Sequence, residues 1–308
     1  MSLKLGISTP SNLWSLEYEQ RQATLARIQE AGFDHLFMAD HVSFRNGSGT
    51  DGFVEVAALS QLNPKLGVMI SIYLLPLRHP LPVARQLATM ARIAPGRMIF
   101  GVGIGGEDRH EIEVCGVDPK TRGLRANESL DIIKDLLAGN EVSFQGEIFN
   151  IEAARIRPSP NTPIPIIVGG RSNAALARTA RYGDGWIGVW CSTSRYAEAL
   201  AQIDDECANA ERNPPEWLHG YQTWLGIDAN EDIARTAVAK AMESFYHIPF
   251  DRFERYTPYG TPEQVAEQLA PYAEKGCRLF NLKVVTHDPA DEVDLGAATK
   301  AHLEKLVG

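Results

Sequence analysis

The sequence predicts an α/β protein built as a (β/α)8 barrel, that is, a TIM barrel with insertions, formed by a single domain over residues 1–308. Eight apolar, strand-like runs recur along the chain, and helical patterns lie between most of them. No Gly/Ser-rich linker or change in composition marks a second domain. Alternating strand and helix units form parallel sheets with right-handed crossovers, and eight such units over about 280 residues are typical of a closed barrel.

The predicted strands are apolar runs bounded by turn residues. They cover residues 3–8, 34–40, 65–75, 97–103, 163–170, 184–190, 218–227 and 279–285. The third run, "KLGVMISIYLL", is apolar on both faces, as parallel strands covered on both sides usually are. Arg78-His79, which follows it, is interpreted as a structural turn. A period-2 pattern over 142–151 predicts a hairpin inserted outside the barrel.

Start and stop signals mark the predicted helices. In the helix at 260–276, Thr261 can cap the first turn, Pro262 suits the first helical position, Gln264 completes a capping box and Gly276 ends the helix. The other predicted helices lie near residues 17–31, 52–62, 80–94, 107–114, 125–139, 172–182, 194–212, 230–244 and 295–307.

Composition excludes several classes of partner and cofactor. The formal net charge of -9 disfavours nucleic acid and anionic membranes as partners. The four cysteines lie far apart, with no metal-ligand spacing and no disulfide framework, so we expect no metal and a reducing, cytoplasmic location. No run reaches the ~18 apolar residues of a membrane-spanning helix, and the N-terminus lacks the apolar core of a signal peptide.

The segment "GVGIGG" at residues 101–106 matches the G-x-G-x-x-G pattern of dinucleotide-binding proteins. Such a site requires a helix that begins at the third glycine and an acidic residue on the next strand about 20 residues later. Here Gly116 interrupts a short helix and no strand follows. At the end of a barrel strand, Gly103, Gly105 and Gly106 can instead let backbone approach a flat ligand. A tight turn with close strand packing is the alternative.

A second glycine pair lies in "VGGRS" at residues 168–172, where the fifth predicted strand meets a helix. The backbone amides of Gly170, Arg171 and Ser172 can face a bound anion at this helix N-terminus. Together with Gly169 they predict a phosphate site, and an ordinary helix start is the alternative.

These motifs occur together, in a fixed order along the chain. They are "ADH" (39–41), "LLPLRHP" (74–80), "PGRMIFGVGIGG" (95–106), "RGLRANESLDIIKDLL" (122–137), "VSFQGEIFNI" (142–151), "PIIVGGRS" with "ARYGDGW" (165–186) and "GTPEQVAEQL" (260–269). In this order they resemble the luciferase-like monooxygenase superfamily, especially the branch that uses FMN or the deazaflavin coenzyme F420. The resemblance implies a bacterial luciferase-like barrel, a homodimer or larger homo-oligomer, a small-molecule substrate and a flavin-type ring across the C-terminal mouth.

The resemblance also implies roles for individual residues. His41, with Asp40 at the end of the second predicted strand, corresponds to a histidine that acts as acid or base beside the cofactor ring, although it can also be a structural histidine. The third strand is expected to carry a non-proline cis peptide bond between Ser71 and Ile72, where an ordinary trans strand is the alternative. Some relatives have a glutamate, and many a tryptophan, where this chain has Gly106. The adjacent Glu107 is then a candidate to replace the side chain that is missing at position 106.

The resulting functional prediction is an enzyme, a flavin-type oxidoreductase. With F420 it would transfer a hydride to or from a small organic substrate, and with reduced FMN it would carry out a monooxygenation. His41 favours F420, because a positioned acid or base suits hydride transfer. The alternative is a non-catalytic flavin-binding barrel, since Gly106 removes a side chain that relatives use. Aldolase and metal-hydrolase barrels are disfavoured, because no strand ends in a suitable lysine or metal-ligand cluster.

Overall fold

A computed structural model of the chain describes residues 3–213 and 215–308. All eight predicted strands are present in one parallel sheet. They are β1 (Lys4–Ser8), β2 (His35–Met38), β3 (Gly67–Leu74), β4 (Met98–Gly103), β5 (Ile166–Gly169), β6 (Gly185–Gly188), β7 (Gly220–Ile227) and β8 (Leu279–Val285). Each strand neighbours the next one in the chain, and β8 also neighbours β1, so the sheet closes. The predicted (β/α)8 barrel is confirmed.

Ten α-helices are found in the described residues, and they follow the predicted pattern. They are α1 (Tyr18–Glu30), α2 (Gly52–Leu62), α3 (Pro80–Ile93), α4 (Arg109–Val114), α5 (Arg122–Leu137), α6 (Asn173–Tyr182), α7 (Thr193–Asn209), α8 (Glu231–Tyr246), α9 (Pro262–Glu274) and α10 (Glu292–Val307). The predicted capping box of α9 is confirmed, because Thr261 and Gln264 each accept a backbone N–H from the other. None of these helices is long and apolar enough to cross a membrane.

Two hairpins lie beside the barrel sheet. The predicted one pairs Val142–Gln145 with Asn150–Ala154 in antiparallel fashion. The carboxylate of Glu128 on α5 holds its turn by accepting the backbone N–H groups of residues 147–149 at 2.8–3.1 Å. The second hairpin, which pairs His41–Phe44 with Ser48–Thr50, was not predicted.

The chain divides into two compact units. One contains residues up to Phe37, Ile187–Asp205 and the chain from Trp217 onward; the other contains Met38–Trp186 and Glu206–Glu216. In the first unit Tyr221 stacks on Tyr272 with a centroid distance of 4.0 Å.

The second unit has a buried aromatic core in which Tyr73 lies 5.0 Å from Phe53 and 5.4 Å from Phe100 between ring centroids. Every residue that the sequence predicted to contact a cofactor belongs to this second unit. That the chain forms a single domain stays a prediction.

Candidate active site

The third barrel strand carries the irregularity that the family resemblance implied. The peptide bond between Ser71 and Ile72 is cis, so that prediction is confirmed. The pairing of β3 with β4 shifts at the same point, because Ile70 pairs with Phe100 whereas Tyr73 pairs with Val102. The strand therefore has a bulge, and bulges of this kind redirect the side chains beside them.

Glycine on the neighbouring strand accommodates this bulge. A Cβ atom on Gly103 would lie 2.6 Å from Cγ2 of Ile72, and one on Gly101 would lie 2.4 Å from the carbonyl oxygen of Ile70. Contacts this short would force the strands apart, so β4 needs glycine at both positions. The sequence left close strand packing open as an alternative role for these glycines. Gly103 has that role, because its strand packs closely against Ile72.

The loop after β4, called the glycine loop below (residues 104–106), suits position 106 to glycine. The φ angle of Gly106 is +144°, a backbone conformation that residues with side chains rarely adopt. A Cβ atom there would also lie 3.2 Å from Nη1 of Arg122. A glutamate or tryptophan at this position would strain the loop, so the position is suited to glycine.

Glu107 provides a carboxyl group directly after this glycine. Its side chain is open to solvent, yet the protein that surrounds it desolvates the carboxylate and raises its pKa. The charges of His41, Arg171 and Arg45 offset part of this effect. The structure therefore brings two other predicted site residues, His41 and Arg171, within electrostatic reach of Glu107.

His41 lies in a different local structure from the one predicted. Strand β2 ends at Met38, and His41 is the first residue of the separate hairpin strand His41–Phe44. The prediction that it lies at the end of the second barrel strand was wrong, because two residues, Ala39 and Asp40, separate the two elements. The imidazole is largely buried, with 14% of its side chain exposed, and its ring lies 4.3 Å from that of Phe44 between centroids.

A buried glutamate that sequence reasoning missed holds this histidine. Oε2 of Glu111 lies 3.0 Å from Nδ1 of His41. Its other oxygen, Oε1, accepts the backbone N–H groups of Val42 at 2.7 Å and Ser43 at 3.1 Å. Glu111 follows the glycine loop in a short polar helix, where the sequence pattern is that of an ordinary solvated face.

Asp40, predicted to contact the cofactor, is fully buried and hydrogen-bonded within the protein. Its oxygens accept both terminal nitrogens of Arg78 at 2.6 and 2.8 Å, the N–H of Leu74 at 3.0 Å and that of Gly52 at 3.1 Å. These bonds tie the segment after β2 to the end of β3 and the start of α2. A cofactor contact by Asp40 stays a prediction, whereas its contacts indicate a structural role.

The predicted phosphate site lies at the N-terminus of α6. Oγ of Ser172 caps this helix by accepting the N–H of Ala175 at 3.3 Å. Nε1 of Trp186 donates to the carbonyl of Gly170 at 2.7 Å and so fixes the turn. Gly170, Arg171 and Ser172 are exposed. Because the first amides of a helix have no partner within the helix, this turn can accept an anion.

Arg122 is a further cation beside the glycine loop, and it was not among the predicted site residues. Its Nη1 lies 3.4 Å from the carbonyl oxygen of Gly105, a long hydrogen bond. Its Nε is buried and has no hydrogen-bond partner among the residues that the structure describes. The next residue, Gly123, accepts a hydrogen bond from Arg178 of α6 at 3.2 Å. Arg122 therefore lies where α5 meets both the glycine loop and α6.

The barrel, the cis bond and the glycine loop agree with the class of flavin-type barrel enzymes that the resemblance implied, and comparison with known proteins identifies the family. The family model described as luciferase-like monooxygenase matches residues 4–256. The chain belongs to this family, which confirms the family and the oxidoreductase class predicted from the sequence. The non-catalytic alternative is not favoured.

Individual relatives and structures agree with this assignment. An F420-dependent glucose-6-phosphate dehydrogenase of Beutenbergia cavernae is 33% identical over 312 residues, which cover 91% of this chain and 89% of that protein. The structure of an F420-dependent secondary alcohol dehydrogenase, in complex with an F420–acetone adduct, superposes with a TM-score of 0.84 at 19% identity, covering 98% of this chain and 99% of the other. The structure of the oxygenating constituent of 3,6-diketocamphane monooxygenase from Pseudomonas putida, in complex with FMN, superposes with a TM-score of 0.79 at 13% identity. The superposition covers 100% of this chain and 99% of the other.

Proposed function

We propose that this protein is an F420-dependent oxidoreductase that transfers a hydride between the deazaflavin ring and a small organic substrate. The observation that carries the proposal is the largely buried His41, held by Glu111 and close to the carboxyl group of Glu107. Hydride transfer to or from a carbon that bears oxygen also moves a proton, and a positioned imidazole suits this task near neutral pH. The similarity to F420-dependent dehydrogenases supports the same choice.

The residues of the second unit fit a flavin-type cofactor. The turn Gly169–Ser172 and the cation of Arg122 would hold its phosphate, since amides and guanidinium groups both bind phosphate oxygens. The bulge at Ser71–Ile72 and the glycines at 103, 105 and 106 leave backbone surface against which a flat ring can lie. When bound, the cofactor supplies two-electron chemistry that no side chain of the protein provides.

The proton would be handled by His41 and Glu107. His41 is oriented by Glu111, so its ring has one orientation in the site. Glu107 has a raised pKa and is open to solvent, so it holds a proton more readily than an ordinary glutamate and can exchange it with water. In this proposal His41 exchanges a proton with the substrate, and Glu107 connects the site with solvent.

An FMN-dependent monooxygenase is the second candidate. It is supported by the family match and by the similarity to a monooxygenase structure in complex with FMN. The anion site at α6 suits the phosphate of either cofactor, so it does not separate the two candidates.

A cytoplasmic homodimer acting on a small molecule is the proposed biological form. The four cysteines are free thiols, which supports a reducing compartment. The dimer rests on the family resemblance. Light scattering on the purified protein measures its mass, and a monomer would contradict the proposed dimer.

The experiment that tests the proposal is a fluorescence titration of the protein with F420 and, separately, with FMN. We expect F420 to bind at least about tenfold more tightly, a difference of about 1.4 kcal/mol. His41→Ala should leave this affinity unchanged and lower turnover by about 100-fold or more. Binding of neither cofactor would refute the proposal. Tight FMN binding with oxygen-dependent turnover would establish the second candidate instead.

A further inference from the structure

We propose that Glu111 is a positioning residue that fixes the tautomer of His41, so that Nε2 is the atom that exchanges a proton with the substrate. The inference rests on the role proposed above for His41, and it adds a residue and an atom to that role.

The hydrogen bonds of Glu111 determine which nitrogen carries the proton. The carboxylate form of a glutamate only accepts hydrogen bonds. Oε1 accepts the N–H groups of Val42 and Ser43, and Oε2 lies 3.0 Å from Nδ1 of His41. Nδ1 must therefore donate, and the neutral ring has its lone pair on Nε2.

The surrounding contacts prevent the ring from adopting the other orientation. Glu111 is buried, with 2% of its surface exposed, so water does not compete for its carboxylate. Rotation of the imidazole by 180° would bring a ring carbon to Oε2 and lose the hydrogen bond. The ring of Phe44, 4.3 Å away between centroids, packs against the imidazole.

Helix α4 also holds the hairpin at a second point. Asp108, the N-cap of α4, accepts the N–H of His110 with Oδ1 at 2.9 Å and the N–H of Arg45 with Oδ2 at 2.6 Å. Asp108 and Glu111 thus both anchor hairpin amides, but only Glu111 contacts His41. A substitution of Asp108 therefore tests anchoring of the hairpin alone, whereas a substitution of Glu111 also tests control of the His41 tautomer.

A lone pair on Nε2 defines the proton step in the direction of substrate oxidation. The hydroxyl of an alcohol substrate would donate to Nε2, and its proton would pass to the imidazole. A bound deazaflavin would supply the two-electron acceptor for the hydride of the adjacent carbon. The C–H and O–H bonds break, and a carbonyl group forms. In the reverse direction the imidazolium returns the proton to the carbonyl oxygen.

The test is Glu111→Gln, compared with Asp108→Asn as the matched control on the same helix. The amide oxygen of the glutamine can still accept the two backbone N–H groups, but its NH2 group then faces Nδ1. Nδ1 must accept, so the proton moves to Nε2. Histidine 15N shifts, with the His41 signals identified by their loss in His41→Ala, report this tautomer in the protein without cofactor or substrate.

We expect Nδ1–H in the wild-type protein and Nε2–H in Glu111→Gln. Turnover in the oxidation direction should fall about 100-fold or more. The acidic limb of its pH profile should move to lower pH, because the imidazolium loses a neighbouring negative charge. Asp108→Asn should lower the unfolding temperature but keep the wild-type tautomer and pH profile.

Nε2–H in the wild-type protein would overturn the inference even if Glu111→Gln does not fold. An unchanged tautomer and pH profile in Glu111→Gln would also overturn it, as would Asp108→Asn reproducing both changes. If no deazaflavin or flavin binds, the proposed function fails, whereas the tautomer measurement still decides the role of Glu111.

Discussion

The ion pair between Asp40 and Arg78 makes a prediction about stability that the geometry specifies closely. Each oxygen of Asp40 accepts two donors: Oδ1 accepts Nη2 of Arg78 and the N–H of Gly52, and Oδ2 accepts Nη1 of Arg78 and the N–H of Leu74. In Asp40→Asn, an NH2 group must replace one of these oxygens. In either orientation of the amide, its NH2 group would face one guanidinium nitrogen and one backbone N–H, which are both donors. The guanidinium of Arg78 also loses its counter-charge.

The expected cost follows from this geometry. Removing one partner of a buried ion pair destabilises a protein by about 3–5 kcal/mol, because the remaining charge stays buried and unpaired. Asp40 is fully buried and the side chain of Arg78 is 19% exposed, so this range applies. With an unfolding entropy of about 2.1 cal/mol/K per residue, a chain of 308 residues loses about 1.5 °C per kcal/mol, so the unfolding temperature should fall by about 5–8 °C.

Calorimetry and urea unfolding measure this loss of stability, and two further variants serve as controls. Asp40→Asn with Arg78→Met removes both charges, and we expect it to be at least about 1 kcal/mol more stable than Asp40→Asn alone. Asp51 is the exposed N-cap of α2, and aspartate and asparagine both cap helices well. Asp51→Asn should therefore change the free energy of unfolding by less than about 0.5 kcal/mol. A loss below about 1 kcal/mol in Asp40→Asn, or additive losses in the double variant, would refute the reasoning.

Two further predictions concern Gly103 at the end of β4 and Glu107 directly after the glycine loop. Gly103→Ala should destabilise the protein by about 1–3 kcal/mol, because its methyl group would lie 2.6 Å from Cγ2 of Ile72; Ile72→Ala should relieve part of this loss in thermal unfolding, and additive losses would contradict the contact. Glu107→Gln should raise the unfolding temperature at pH 7–8, because desolvation by the surrounding protein raises the pKa of Glu107 and its ionised form then opposes folding. This gain should disappear as the pH falls to about 4.3, the ordinary pKa of a glutamate, and a gain independent of pH would contradict it.

Much of the fold could be predicted because its signals are local. The strand at 65–75 is apolar on both faces wherever it is placed, and the structure has β3 at Gly67–Leu74. The capping box of α9 joins Thr261 to Gln264, three residues apart, so both partners are visible in the sequence. The hairpin over 142–151 follows from its period-2 pattern. The family resemblance, not the residue pattern, predicted the cis bond after Ser71.

Less of the candidate site could be predicted, because its contacts join distant parts of the chain. His41 and Glu111 are 70 residues apart, and Asp40 and Arg78 are 38 apart. Nothing in a polar helix of six residues indicates that one of its glutamates is buried against a histidine. The second hairpin was missed because its strands have only four and three residues, and the second strand, Ser48–Thr50, has no apolar side chain.

The sequence by itself determined the class of fold, the family and the location of the loops that carry the site, because periodicity, caps and ordered motifs are properties of neighbouring residues. The tertiary structure decided what each site residue does. It made Asp40 an internal partner of Arg78, suited position 106 to glycine through its backbone angle, and paired His41 with Glu111. These outcomes depend on strand register and on burial, which arise only when the whole chain folds.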